Sequence, residues 1–239
     1  MRAIVLHETG HALYNAGLPK EWRDQPVGKP RSFAVHESQS LLVEMQICRS
    51  RPFLAYLAPL LAETFGVGGP AFAADNLYRQ AIRVQRGLIR VDADEVTYPL
   101  HVVLRYRLEK ALLAGELEVA DLPAGWNEGM RELLGVVPPD DRLGVLQDIH
   151  WPAGAIGYFP CYTLGAILAA QLYEALIAAE PDLPAQIAAG DFRALLAWLR
   201  VNVHEQGARY ETQELIARAT GRRLELQSFL RHLEVRYLA

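Results

Sequence analysis

Apolar residues recur at helical spacing along nearly the whole of this chain, with helix-breaking residues between the runs. The pattern predicts helices over 2–16, 40–52, 53–65, 72–86, 93–113, 123–134, 163–179, 192–206, 212–220 and 226–237. Two starts are punctuated alike. Asp121-Leu122-Pro123 and Asp182-Leu183-Pro184 each set an acidic residue before a first-turn proline, whose fixed φ suits a helix. Gly115, Gly135, Gly207 and Gly221 fall where helices should close. Pro99 lies inside 93–113 and should kink it, because the ring removes a donor and crowds the preceding turn. Alternation of strand type is confined to 31–35, where Phe33 and Val35 are separated by a small residue. The longest irregular stretches are 66–70 and 135–160. With no internal repeat and no dividing linker, the expectation is one mainly α domain over 1–239, with at most a small β element.

Composition narrows the class. The 239 residues are 51% hydrophobic and 22% charged, an ordinary globular balance with material for one sizeable core. A formal net charge of −4 and the lack of any Lys/Arg run argue against a nucleic-acid partner. The 2 cysteines, Cys48 and Cys161, have no CxxC spacing, and no signal peptide is evident; a reducing, cytoplasmic setting is expected. The longest apolar run, 164–170, stops at Gln171 and is short for a bilayer, so no membrane partner is expected. Its continuation through Leu172, Leu176 and Ile177 reads as a buried helix.

The candidate chemistry begins at His7-Glu8-Thr9-Gly10-His11, an HExxH sequence. On a helix, His7 and His11 project from one face a turn apart, so both imidazoles can reach one ion. Glu8 lies beside them, placed to take a proton from an activated water. An amphipathic helix with two surface histidines is the plainer alternative. A third ligand is offered by Glu37 in His36-Glu37-Ser38-Gln39, just past a stretch broken by Pro19, Pro26, Gly28 and Pro30 that lets the chain turn back. Two histidines and one carboxylate with a position left open make a catalytic zinc set, whereas a structural site would want four protein ligands. The alternative reading of Glu37 is an ordinary carboxylate favoured at a helix N-terminus by the macrodipole.

Four blocks in order give the chain a resemblance: His7-Glu8-x-x-His11, His36-Glu37-Ser38-Gln39, Ile89-Arg90-x-x-Ala93-Asp94-Glu95, and Gly144-x-x-Gln147-Asp148-x-His150-Trp151. With Arg49-Ser50-Arg51 and Gly157-Tyr158-Phe159-Pro160, they resemble the carboxypeptidase Taq family of zinc metallocarboxypeptidases. The resemblance covers essentially the whole chain but only the C-terminal half of the family. The family's upstream His-Pro-Phe and Asp-x-Arg-x-Thr blocks are not found here. Val43 and Met45 stand where the family usually has Trp and Asn, Cys161 where it has Thr, and Pro99 where it has Asn.

The resemblance implies a zincin-like helical domain that releases C-terminal amino acids from peptides. His7, His11 and Glu37 would hold Zn2+, with Co2+ as an alternative, and Glu8 would be the general base and acid. The donor to the developing oxyanion would be His150, Tyr158 or Tyr162, although either tyrosine could be a core aromatic with a satisfied hydroxyl. Arg90 would fork onto the substrate carboxylate, with Gln147 beside it in the substrate site; the competing reading of Arg90 is an ion pair to Asp92, Asp94 or Glu95. Asp94 either orients a zinc histidine or caps a helix. The partners implied are a peptide with a free C-terminus and either a second copy or the missing N-terminal half. Ile4, Val5 and Leu6 on the first ligand helix would face solvent or that partner. The alternative function is a truncated zinc-binding remnant, or half of a split enzyme, serving as an interaction module.

Overall fold

A computed structural model describes residues 4–238. Among them stand eleven α-helices and no strand. They are α1 (Ile4–Gly17), α2 (Phe33–Leu41), α3 (Arg51–Phe65), α4 (Ala74–Ala81), α5 (Tyr98–Leu113), α6 (Leu122–Leu134), α7 (Pro160–Ala179), α8 (Leu183–Ala188), α9 (Arg193–Asn202), α10 (Thr212–Thr220) and α11 (Gln227–Tyr237). A π-helical turn, Leu42–Ile47, continues α2. The predicted start of the first helix at Arg2 lies outside the described residues.

The chain divides into two compact units. Arg83–Thr163 forms one, and the described residues before and after it form the other. In the larger unit, Tyr14, Leu42, Ile47, Leu172, Leu176 and Leu183 are buried in one core. Two of its helices meet closely at Gly10. A Cβ there would lie 2.4 Å from the Gln39 carbonyl oxygen and 2.6 Å from Ser40 Cα, so glycine alone lets α1 and α2 approach this far. The smaller unit packs α5 on α6 around Leu104, Leu108, Trp126, Met130 and Leu134.

Three expectations are corrected. The 31–35 stretch is not extended: Ser32 is an N-cap whose side chain accepts from the Val35 amide, and the helix starts at Phe33. The apparent alternation reflects one helical turn in which Val35 is buried while Phe33 remains 66% exposed. Pro99 does not kink a helix. It sits in the first turn of α5, where a proline costs nothing, because the residues before Tyr98 form a capped turn instead of more helix. Third, α7 begins at Pro160 and its 20 residues are long and apolar enough, by length and composition, to cross a membrane. Here Leu168, Leu172 and Leu176 of α7 lie in the larger unit's core, so that apolarity serves packing.

Candidate metal centre

The larger unit brings three predicted ligands together. His7 and His11 lie one turn apart on α1, and Glu37 is in the middle of α2. One ligand atom from each lies within 4.8 Å of the others. The directions are as informative as the spacing. His7 Nε2 is 3.8 Å from Glu37 Oε1, and His11 Nε2 is 3.4 Å from Glu37 Oε2, so both imidazoles turn the same nitrogen to one carboxylate. Glu37 is buried, and Gly165 of α7 lies against its side chain: a Cβ there would meet Glu37 Cβ and Cγ at 2.8 Å. The carboxylate is therefore fixed from behind as well as by its own helix.

The other nitrogens of both histidines are occupied. His7 Nδ1 is 3.0 Å from Glu44 Oε2, and Arg49 Nη2 donates to Glu44 Oε1 at 2.6 Å. His11 Nδ1 is 2.6 Å from His36 Nδ1, and His36 Nε2 is 3.2 Å from Asn15 Oδ1. With Nδ1 occupied on both rings, Nε2 is left to a cation, the arrangement a histidine–metal site requires. Burial works against charging His7, but Glu44 and Glu37 outweigh it and raise its pKa. The same negative field favours a divalent cation. The donor set fits a metal ion. Glu8, the next residue on α1, is exposed.

The comparisons agree with the geometry. The model of the carboxypeptidase Taq (M32) metallopeptidase family matches residues 1–237. The chain belongs to this family. It is 43% identical to thermostable carboxypeptidase 1 of Thermus thermophilus over 235 residues, which are 98% of this chain and 46% of that protein. Among solved structures, Trypanosoma cruzi metallocarboxypeptidase 1 matches with TM-score 0.95 and 46% identity, over 98% of this chain and 49% of that one. An M32 carboxypeptidase from Deinococcus radiodurans R1 matches with TM-score 0.92 and 44% identity, over 97% of this chain and 47% of that one. The chain thus spans about half the length of the relatives it matches. Membership in a metallopeptidase family implies a divalent metal ion.

The smaller unit holds the remaining predicted site residues, and it changes the reading of two. Arg90 is 5% exposed, and its guanidinium is already paired. Its Nε and Nη2 donate to Asp148 Oδ1 at 3.1 and 2.7 Å, and its Nη1 donates to the Tyr98 hydroxyl at 2.6 Å. The fork expected to hold a substrate carboxylate holds an internal one, and the partner is Asp148 in place of the nearer acids in sequence. Gln147 is likewise structural here. Its Oε1 accepts from the Arg90 amide at 2.8 Å and Arg105 Nη2 at 2.9 Å, while its Nε2 faces the carbonyls of Leu88, Leu143 and Gly144. Arg105, wholly buried on α5, is the second cation on Asp148, at 2.7 Å through Nε. Burial pushes the Asp148 pKa up, and the two arginines more than reverse it.

Asp94 is a cap. Its carboxylate accepts from the amides of Gln85, Val96 and Thr97 and from the Thr97 hydroxyl. His150 Nε2 is 3.0 Å from the Tyr162 hydroxyl, and the Tyr158 ring lies 5.5 Å from the imidazole, centre to centre. Burial and then Arg90 lower the His150 pKa, which keeps the ring neutral at neutral pH.

Sequence reasoning passed over Glu44, Asn15 and any role for His36. The signal was there in register: Asn15 is one turn beyond His11, and Glu44 is seven residues beyond Glu37, two turns on. Arg105 and Asp148 gave no such signal, because ion pairing across distant segments has no period.

Proposed function

We propose that this chain carries the metal centre of a zinc-dependent metallocarboxypeptidase, which releases C-terminal amino acids from peptides. One observation carries the reading: His7 Nε2, His11 Nε2 and the Glu37 carboxylate converge, in a chain of this family, with both Nδ1 atoms otherwise engaged. Three protein ligands leave one position open, as a catalytic zinc site requires. When bound, the ion supplies Lewis acidity, acidifying water and polarising a peptide carbonyl.

The chain's own residues do the rest. Glu8 takes the proton from the attacking water at its carboxylate and passes it to the leaving amine nitrogen. Its exposure leaves it accessible to water and substrate. The resemblance also offers His150, Tyr158 and Tyr162 as donors to the developing oxyanion; within the smaller unit the neutral His150 is paired with the Tyr162 hydroxyl, chemistry of the kind such a donor needs. Arg90 and Gln147 are not assigned to the substrate, because both are spent within their own unit. The remnant reading is not preferred, since the whole ligand set is present and converges. A second copy, or a segment supplying the family's other half, is proposed as partner; Ile4 and Val5 on α1, at 57% and 76% exposure, support it, while Leu6 packs on the core.

The test is release of the terminal residue from a short peptide by the zinc-loaded chain, alone and with a relative's N-terminal half added. Free-carboxylate peptides should be cleaved and C-terminally amidated ones spared. Endopeptidase cleavage, or equal turnover of both peptides, would overturn the exopeptidase reading.

A further inference from the structure

The two histidines of the candidate centre are held from behind by unlike groups. His7 meets a carboxylate, Glu44, and that carboxylate has its other oxygen clamped by Arg49. His11 meets a second imidazole, His36, which is itself held by Asn15. We propose that Glu44 and His36 are positioning residues that set metal affinity at this site, with Glu44 carrying the larger share. The proposal rests on reading His7, His11 and Glu37 as the ligands.

The argument is one of proton placement and charge. A neutral imidazole has one lone pair and one N–H, so fixing the N–H fixes which nitrogen faces the ion. On the His7 side, Nδ1–H donates to Glu44 Oε2, and Nε2 carries the lone pair. On the His11 side, Nδ1–H donates to His36 Nδ1 and leaves His36 Nε2–H for the Asn15 carbonyl oxygen. Every donor in this second chain has one acceptor, and the order cannot be reversed while His11 Nε2 keeps its lone pair. Both devices thus select the same tautomer.

Their electrostatics differ. A carboxylate behind an imidazole draws its proton and makes the far nitrogen a stronger donor to a cation. A neutral imidazole orients its partner but adds no charge. Glu44 is also well sheltered, with a side chain 12% exposed against 19% for Arg49, so solvent screens it little. It sits on the π-helical turn Leu42–Ile47, a wider turn of a kind found often at functional sites. Arg49, one residue past Cys48, reaches back over that turn to hold it. The unequal backing predicts unequal losses.

The experiment is a competition titration of Zn2+ into the metal-free full chain against a chelating dye, with circular dichroism confirming the fold of each metal-free variant. Glu44→Gln keeps shape and removes charge, and should raise Kd about 10- to 100-fold. His36→Leu should raise it less, by several-fold to about tenfold. Arg49→Met, which frees Glu44 without discharging it, should fall between the parent and Glu44→Gln. Co2+ loading adds a second readout: its visible absorption should change in Glu44→Gln, which a residue serving only fold stability would not cause. Should Glu44→Gln fail to fold, the His36 and Arg49 variants decide the matter by the same Kd. Folded variants that bind Zn2+ with the parent's Kd overturn the proposal, and so does a larger loss at His36 than at Glu44. A parent that binds no Zn2+, or binds it unchanged after His7→Ala and Glu37→Ala, instead overturns the metal-centre reading and this inference with it.

Discussion

A histidine that binds a metal must be neutral and must aim one particular nitrogen, and both conditions are met by what touches its other nitrogen. In this chain, the residues proposed as ligands were legible from spacing, since His7 and His11 are four apart and Glu37 follows a broken connection, and the fold brings the three together. Their supports were passed over: Asn15 and Glu44 stand in helical register with them, but register alone does not say which nitrogen a side chain will reach. The ligand assignment predicts that His7→Ala, His11→Ala and Glu37→Ala each lose zinc on dialysis, whereas Glu8→Gln retains it and loses about 10²-fold or more in kcat. Elemental analysis of the four variants beside a peptide assay checks this; full zinc in both histidine variants would remove the site.

Two other histidines predict a pH effect on stability. His101 and His204 are buried, and burial first, then Arg105 and Arg200 respectively, lowers each pKa to about 4. Both His101 nitrogens and His204 Nδ1 lack a hydrogen-bond partner, and the pull of Asp148 and Asp94 on a charged His101 is outweighed by burial and the arginines. The unfolded chain takes up protons near pH 6.5 and the folded chain does not, so this stability is present above that pH and is lost as pH falls toward 4. The shift corresponds to about 3 kcal/mol for each histidine at most. Urea midpoints measured from pH 7 to 4.5 should fall steadily, and less steeply in His101→Leu; identical slopes for parent and variant would exclude a contribution from His101.

At the scale of elements, the site is made by how closely α1 meets α2. Most helices were legible because their apolar period and glycine stops agree; Thr212–Thr220 lies where the pattern put it, and Gly135 and Gly221 close helices in the left-handed conformation. The second ligand helix was misplaced for a local reason. Ser32 capping and the buried Val35 start it at Phe33, before the stronger apolar run that marked its predicted start. The π turn after it has no sequence signature, since its Cys48 amide to Val43 carbonyl bond differs from an α bond by a single residue. Gly10 shows the demand most sharply, because a Cβ would strike backbone atoms that cannot turn away. Gly10→Ala should therefore destabilise the chain by about 1–3 kcal/mol and weaken zinc binding together, because α1 must retreat from Glu37. Thermal unfolding and the Zn2+ Kd measure the two effects. A stable Gly10→Ala chain with parent affinity would mean that the helices can part without moving the ligands.

For the whole molecule, the absence of a linker in the sequence has a structural counterpart. The boundary between the compact units at Thr163 falls inside α7, and a boundary within a helix needs no proline or glycine to mark it. The surface raises the larger question. Val5 on α1 and Phe33 on α2 are 76% and 66% exposed, each on a helix that carries a proposed ligand. Apolar side chains beside a catalytic centre work best when covered, since a dry, walled cleft strengthens every charge in it. Relatives of about twice this length have further chain that could give such cover. The expectation is that the 239-residue chain self-associates through these helices and turns over peptides weakly by itself. Sedimentation should show a concentration-dependent dimer, and Val5→Glu with Phe33→Glu should shift it toward monomer while zinc content stays the same, because neither side chain is a ligand. A monomeric parent with brisk, metal-dependent turnover would show that the exposed residues are solvent-facing by design and that the half-length chain builds a working cleft unaided.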